Sequence, residues 1–394
     1  MKYLNYIWRN ARRNPVRSLL TIASTSVCLF LMMILLSFFA INDEVTGSVG
    51  VYNRVCVLNA NGFAGRIPIA FMNEITQIDG VQAATPFSWF GGKYHDEILP
   101  FAQFAVDADT AFTIMNELTI APDQLKAFQA NKNGCVIGRK LANERKLKIG
   151  DPMPLERDLY PVDLDLTIQG IYDGPANRDL RMCLFHWGYL DELLKRVGST
   201  GSASEAHLSG NAGMVFIKCK SANIMPAICK AVDDRFRNSD YPTRTQTEEA
   251  FGKMFAEMLG DLKGMIRVIG MAVVFSLLCV AGNSMAMSMR ERTTEVAVLK
   301  AIGFGKRLVL TLVLTEAVLV ATIGGAIGSL GCKAFCEVVD LSRYSAGFLP
   351  FYYIPWPIAL EGLAVALLIG FVSGLFPALR AANSSVVDGL RKVI

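Results

Sequence analysis

Side chains able to carry chemistry are thinly spread along this 394-residue chain. Its three histidines, His95, His186 and His207, lie far apart, and its nine cysteines contain no CxxC pair, so no zinc site or disulfide framework follows from the spacing. No GxSxG, HExxH, Walker A phosphate-loop or EF-hand pattern occurs. GFGKR at 303–307 has a glycine and a lysine without the phosphate-loop spacing. The acid pairs Asp233–Asp234 and Glu248–Glu249 read as solvated faces rather than general acid–base pairs. Cys56, Cys135, Cys183, Cys219 and Cys229 form an odd set in the polar part of the chain, and a core thiol is their ordinary reading. No catalytic, cofactor-binding or metal-ligating residue is therefore assigned, and no cofactor is expected in this chain.

One acid stands apart. Glu316 is the single charge in the 25-residue run Leu308–Cys332. It lies about 13 Å along a helix axis beyond Arg307. An ionisable group at that depth is a functional candidate; a helix-to-helix hydrogen bond is favoured over proton coupling. The preceding loop, 290–307, also has a pattern. Glu291 and Glu295 suit a helix N-terminus, and Lys300 and Lys306 its C-terminal side. Val296, Leu299 and Ile302 recur at a spacing of three and form an apolar stripe, and Gly303 and Gly305 then end the helix. The stripe fits either a groove in another protein or a lipid headgroup surface.

The elements that must position these residues are membrane helices. The hydrophobic share is 52% and the charged share 19%, with a mean hydropathy of +0.35. A typical soluble domain has about 25% charged residues, so a purely soluble, disordered or collagen-like chain is disfavoured. A net charge of +4 is too small to imply nucleic acid. A bilayer core needs about 20 apolar residues as helix. Four runs satisfy this, giving transmembrane helices over 18–42, 263–289, 308–332 and 358–379. The first is too long for the core of a cleaved signal peptide and reads as a retained anchor. The third and fourth carry GxxxG spacings at Gly324 and Gly328 and at Gly370 and Gly374, which permit close helix approach, within one chain or across a dimer.

Charge predicts the orientation. Residues 1–17, 290–307 and 380–394 together carry thirteen basic and three acidic residues, whereas 42–266 carries 23 basic and 28 acidic. By the positive-inside rule both termini and the 290–307 loop are cytoplasmic, and the large segment and the 333–357 loop lie outside. Tyr3, Tyr6 and Trp8 beside the N-terminal arginines suit a cytoplasmic amphipathic helix over 1–17, and Tyr352, Tyr353 and Trp356 mark the outer boundary of the fourth span.

The fold class is thus a four-helix multi-pass membrane protein with a large extracytoplasmic α/β domain, 43–262, between the first two helices. Strands at Val51–Leu58, Val81–Trp89 and Met214–Cys219, with helices at Ile69–Ile78 and Asn223–Phe236, form one α/β lobe built from two distant pieces. The material between, about 99–212, carries β patterns at 135–138, 148–155 and 165–174 and is expected to be a mostly β lobe inserted into the first. Ser199–Gly213 is polar and glycine-rich, the expected flexible loop.

Four segments in fixed order resemble the MacB/FtsX-like ABC transporter permease family: RNARRNPVRSLLT at 9–21, GCVIGRKLANERKLKIGD at 134–151, MRERTTEVAVLKAIGFGKRLVLTLVLTEA at 289–317 and FPALRAANSSVVDGLR at 376–391. The resemblance covers nearly the whole chain. MacB carries a fused nucleotide-binding domain ahead of its first span; this sequence resembles a stand-alone permease subunit without one. The resemblance implies a homodimer of permeases served by two cytoplasmic ABC ATPase subunits that bind ATP and Mg, with a periplasmic adaptor as a further partner, in a bacterial inner membrane. It implies that 290–307 is the coupling helix seated in an ATPase groove, with Glu291, Glu295, Val296, Leu299, Ile302 and Gly303 at the contact. It also implies ATP-driven movement of the outer domain, moving cargo such as peptides, lipophilic antibiotics, lipoproteins or glycolipids, or, in an FtsX-like alternative, activating a cell-wall hydrolase without transport.

Overall fold

The structure is a computed structural model and describes residues 15–95, 97, 101–175, 178–200, 208–258, 262–339, 341 and 351–386. The expected N-terminal amphipathic helix and the end of the C-terminal tail lie outside these residues. The chain divides into a helical unit, Met1–Ile41, Asp261–Asp340 and Tyr352–Ile394, and a second unit, Asn42–Gly260 with Leu341–Phe351.

The first helix, α1, spans Pro15–Ser48, with its apolar window over Ser18–Ile41. After a 3₁₀ turn at Val49–Tyr52 come β1 (Arg54–Asn59), β2 (Ile67–Pro68), α2 (Phe71–Ile75) and β3 (Val81–Trp89). There follow β4 (Gln103–Val106), α3 (Ala111–Ile114), α4 (Pro122–Ala130), β5 (Gly134–Gly138), α5 (Arg139–Arg145), β6 (Pro152–Leu155), β7 (Leu164–Tyr172), β8 (Cys183–His186) and α6 (Trp187–Thr200). The second unit closes with β9 (Asn211–Ala212), β10 (Met214–Cys219), α7 (Met225–Phe236), β11 (Thr243–Thr247) and α8 (Glu248–Met258).

Nine strands form one sheet in the order β11-β1-β10-β3-β4-β8-β5-β7-β6, and β2 pairs with β9. The distant pieces of the first lobe do meet: β10 lies between β1 and β3, with Val55 opposite Ile217 and Thr85 opposite Phe216. Their shared face buries Val55, Val57, Ile217, Ile228, Val232 and Phe236, and Phe71 stacks on Phe236 with ring centroids 3.9 Å apart. The first strand starts later than the sequence suggests, at Arg54, because the 3₁₀ turn and the left-handed Asn53 (φ 50°) occupy the preceding residues. The helix expected at Ile69–Ile78 is shorter, Phe71–Ile75.

The inserted lobe is less β-rich than expected. The strands β5, β6 and β7 form at the three β patterns, and β7 buries Leu164, Leu166, Ile168 and Tyr172 in alternation. Four helices, α3 to α6, accompany these strands. In α6 the buried Leu190 and Leu194, four residues apart, alternate with exposed Lys195 and Arg196, a helical period that turn-based reading overlooks. Apolar clusters line both faces of this half of the sheet, one around Phe90, Ile137 and Phe185, the other around Val106, Phe128 and Leu184. Residues 201–207 of the glycine-rich 199–213 stretch lie outside the described residues.

The helical unit adds α9 (Leu262–Glu291), α10 (Thr293–Ala301), α11 (Lys306–Val338) and α12 (Trp356–Asn383). With α1, the helices α9, α11 and α12 are the four among the described residues long and apolar enough to cross a membrane. They exceed the predicted spans; α11 continues six residues beyond Cys332. Small residues set their spacing. A Cβ on Gly328 would stand 2.5 Å from the Ser26 carbonyl oxygen, and one on Gly324 3.0 Å from that of Ile22, so both glycines face α1 of the same chain. Gly370 and Gly374 face α11 at Ala317, Val318 and Ala321. Hydroxyls supplement the packing: Ser26 Oγ donates to Gly324 O at 2.9 Å, and Thr21 and Ser284 share a hydrogen bond of 2.9 Å between α1 and α9.

Candidate functional site

The short helix α10 is bounded by local chemistry at both ends. At its start, Thr293 Oγ1 donates to the Arg290 and Met289 carbonyls, at 2.9 and 3.2 Å, a side chain competing for the carbonyls of the last turn of α9. At its end Gly303 adopts φ 106°. The Gly303 N–H donates to Lys300 O and the Phe304 N–H to Leu299 O, each at 3.0 Å, which is a Schellman closure that favours glycine at the left-handed position. Glu295 in the first turn and Lys300 in the last complement the helix dipole.

Each end of α10 is also tied to a membrane helix. Arg292, at the N-terminal boundary, directs Nη1 to both carboxylate oxygens of Glu316 on α11, each at 2.9 Å, with both residues buried. Lys300 Nζ donates to the carbonyls of Ala381, Ala382 and Ser384, at 2.9, 2.8 and 2.8 Å. These are orphan acceptors at the C-terminus of α12, where a cation is favoured. Burial, reinforced by the neighbouring Lys306, pulls the Lys300 ammonium below its ordinary value.

The predicted stripe divides. Val296 is buried with Ala297, Leu299 is half-buried, and Ile302 is 71% exposed, beside Val298 at 43%. Glu291 is exposed at the end of α9, and Glu295 is half-buried. Thus α10 presents Val298, Ile302 and Gly303 outward while Val296 anchors it. Sequence reasoning singled out Glu316 and missed Arg292, its ion-pair partner. The available signal was a buried acid 24 residues from the basic residue at the head of the predicted helix. It likewise read Lys300 only as a dipole complement within its own helix. Among the described residues no group of three or more His, Cys, Asp or Glu side chains could hold a metal ion.

Residues 267–386 match the family model of the FtsX-like permease C-terminal domain, a range that contains α10, Glu316 and the helices to which they are tied. Over 407 aligned residues the chain is 23% identical to the ABC transporter permease MJ1507 of Methanocaldococcus jannaschii, covering 98% of this chain and 97% of that one. It is 27% identical over 146 residues to the macrolide export ATP-binding/permease protein MacB of Rhodopirellula baltica, covering 34% of this chain and 20% of that protein. The periplasmic region of MacB from Actinobacillus actinomycetemcomitans aligns with 52% of this chain at 12% identity and a TM-score of 0.36. With four apolar helices among the described residues and one large α/β insertion in the sequence between the first two, this multi-pass membrane protein carries an FtsX-like permease C-terminal region and is similar to ABC transporter permeases of the MacB/FtsX type.

Proposed function

We propose that the protein is the permease subunit of an ATP-driven extrusion complex, in which α10 receives the stroke of a cytoplasmic ATPase and passes it along the membrane helices to the large outer domain. The observation that carries this is the double tether: a nine-residue helix joined at one end to α11 through Arg292–Glu316 and at the other to α12 through Lys300. Such a helix cannot tilt or shift without moving both partners, which is what rigid-body transmission between two states requires. Its outward residues, Val298 and Ile302, form an apolar edge that another protein's groove can cover.

The charge asymmetry supports placing α10 and both termini in the cytoplasm of a bacterial inner membrane, with the large domain outside. ATP and Mg are bound by two partner ATPase subunits, and two permease copies form the membrane core, with a periplasmic adaptor as a further partner. The name of the matching MacB protein specifies macrolide export, which favours cargo movement on the outer side; peptides, lipophilic antibiotics, lipoproteins and glycolipids are the cargo classes such a stroke serves.

The test is ATP hydrolysis by the complex reconstituted in liposomes. Leu299→Asp or Glu295→Lys is expected to abolish permease-stimulated hydrolysis while the protein remains in the membrane at native levels. Unchanged stimulation in both variants refutes the assignment of α10.

A further inference from the structure

We propose that Arg54 is a positioning residue that fastens the inserted lobe to the two stretches of chain adjoining α1 and α9, so that the lobe follows those stretches as one body. This rests on the coupling proposed above and extends it into the large domain.

Arg54 opens β1, six residues beyond the end of α1, and Glu248 opens α8, the last helix before α9. Glu117 and Arg178 belong to the inserted lobe, just past α3 and just past β7. The Arg54 guanidinium joins these pieces. Its Nε donates to Glu248 Oε2 at 2.6 Å and its Nη2 to Glu248 Oε1 at 3.0 Å, along one edge. Its Nη1 donates to both Glu117 oxygens at 2.9 Å and to the Ile114 carbonyl at 3.3 Å. Arg178 Nη2 stands 2.8 Å from Glu117 and 3.6 Å from Glu248, and both guanidinium groups lie over the Tyr52 ring, at 5.0 and 4.6 Å from its centroid. Lys218 on β10 donates to Tyr52 O at 2.7 Å and to Asn116 Oδ1 at 2.9 Å. Burial, with Arg54 close by, pulls the Lys218 ammonium below its ordinary value.

The arrangement is poorly explained as a stability device. Buried ion clusters give little net stability over apolar packing of the same volume, because desolvation offsets the Coulomb attraction. What they impose is geometry. The planar fork of one arginine engages two carboxylates from different segments at once, and the compact lysine ammonium cannot reproduce that fork. The cluster also sits where it matters for transmission, on residues that directly follow α1 and closely precede α9 in the chain.

The experiment is hydrogen exchange read by mass spectrometry on the full chain in lipid nanodiscs, alone and with the ATPase subunit that co-purifies with it. Arg54→Lys, which keeps the charge, and Glu248→Gln, which keeps the shape, are compared with the native protein. Without nucleotide, both variants are expected to exchange about tenfold faster over 111–118 and 49–58, as local opening of an unfastened segment requires, with native rates retained in β3, β5 and β7. With ATP and vanadate, the native complex is expected to change its exchange over 111–118 and the variants to lose that response, basal ATP hydrolysis being unchanged. Native exchange in both variants without nucleotide overturns the proposal, as does a nucleotide response that survives in them. If the nucleotide response is missing from the native complex while the nucleotide-free difference persists, the coupling reading fails and the fastening stands.

Discussion

Arg292 and Glu316 are 24 residues apart and belong to different helices, yet a single guanidinium nitrogen lies 2.9 Å from each oxygen of one buried carboxylate. The pair converts two isolated features of the sequence, an acid in an apolar run and a basic loop, into one mechanical joint. Removing either partner leaves a charge buried and unpaired, at a cost of about 3–5 kcal/mol. Arg292→Ala and Glu316→Ala are each expected to lower the thermal midpoint of the purified protein in detergent. The double variant Arg292→Met with Glu316→Leu is expected to recover most of that loss and still fail to stimulate ATP hydrolysis. Separate melting and ATPase measurements on the three variants check both parts.

Lys300 is the second joint. Lys300→Met keeps the apolar stem and removes the ammonium from three carbonyls at the end of α12. Hydrogen bonds to a charged donor contribute about 1.5–3 kcal/mol, and the freed carbonyls near the polar end of the helix can turn to water. A modest loss of thermal stability with a several-fold loss of stimulated ATP hydrolysis is expected; equal stimulation in native and variant complexes refutes the joint.

The glycine contacts make a steric prediction. A side chain at Gly328 meets the Ser26 carbonyl oxygen at 2.5 Å and its Cα at 3.0 Å, and backbone cannot swing aside as a flexible side chain can. Gly328→Val is expected to separate α1 from α11 and to destabilise the helical unit by about 1–3 kcal/mol. At Gly331 an added Cβ meets nothing within 4 Å, so Gly331→Val is expected to melt close to native. Thermal unfolding of both variants in the same detergent decides.

Two thiols of the first lobe carry a pH signature. Burial pushes Cys219 and Cys229 up to about 11, the former further raised by the neighbouring Cys229 thiol and the latter by the Asp233 carboxylate. The folded state therefore keeps protons that an unfolded thiol releases from its ordinary value near 8.5 upward. Stability from these groups is fully present below that value and is lost as pH rises through about 11. The denaturant midpoint of the native protein is expected to fall more steeply across this window than that of Cys219→Ala with Cys229→Ala. Parallel pH profiles in the two proteins contradict the expectation.

Much of the fold was legible because its signals are local. Val81–Trp89 and Met214–Cys219 form strands at the residues predicted, since β-branched and apolar side chains alternate there between turn residues. The inserted lobe was less legible: short helices such as α3, four residues long, leave almost no periodic trace. At the candidate site the stripe of Val296, Leu299 and Ile302 marked a helix but misjudged its faces. A spacing of three turns through 300° and so drifts around the cylinder, carrying Ile302 out to 71% exposure while Val296 stays buried.

The linear order of residues by itself determined the four apolar helices, the charge bias across them, the large α/β insertion and the terminated helix between the second and third spans. Each follows from composition or periodicity within a window of a few turns, where the hydrophobic effect and backbone geometry act without reference to the rest of the chain. Only the tertiary structure decided which charges meet. Arg292 with Glu316, Lys300 with the carbonyls of α12, and Arg54 with Glu117 and Glu248 join residues from 24 to 194 positions apart. Such pairs leave no periodic trace, because a buried charge requires only that an opposite one arrive within about 3 Å, from wherever in the chain the packing brings it.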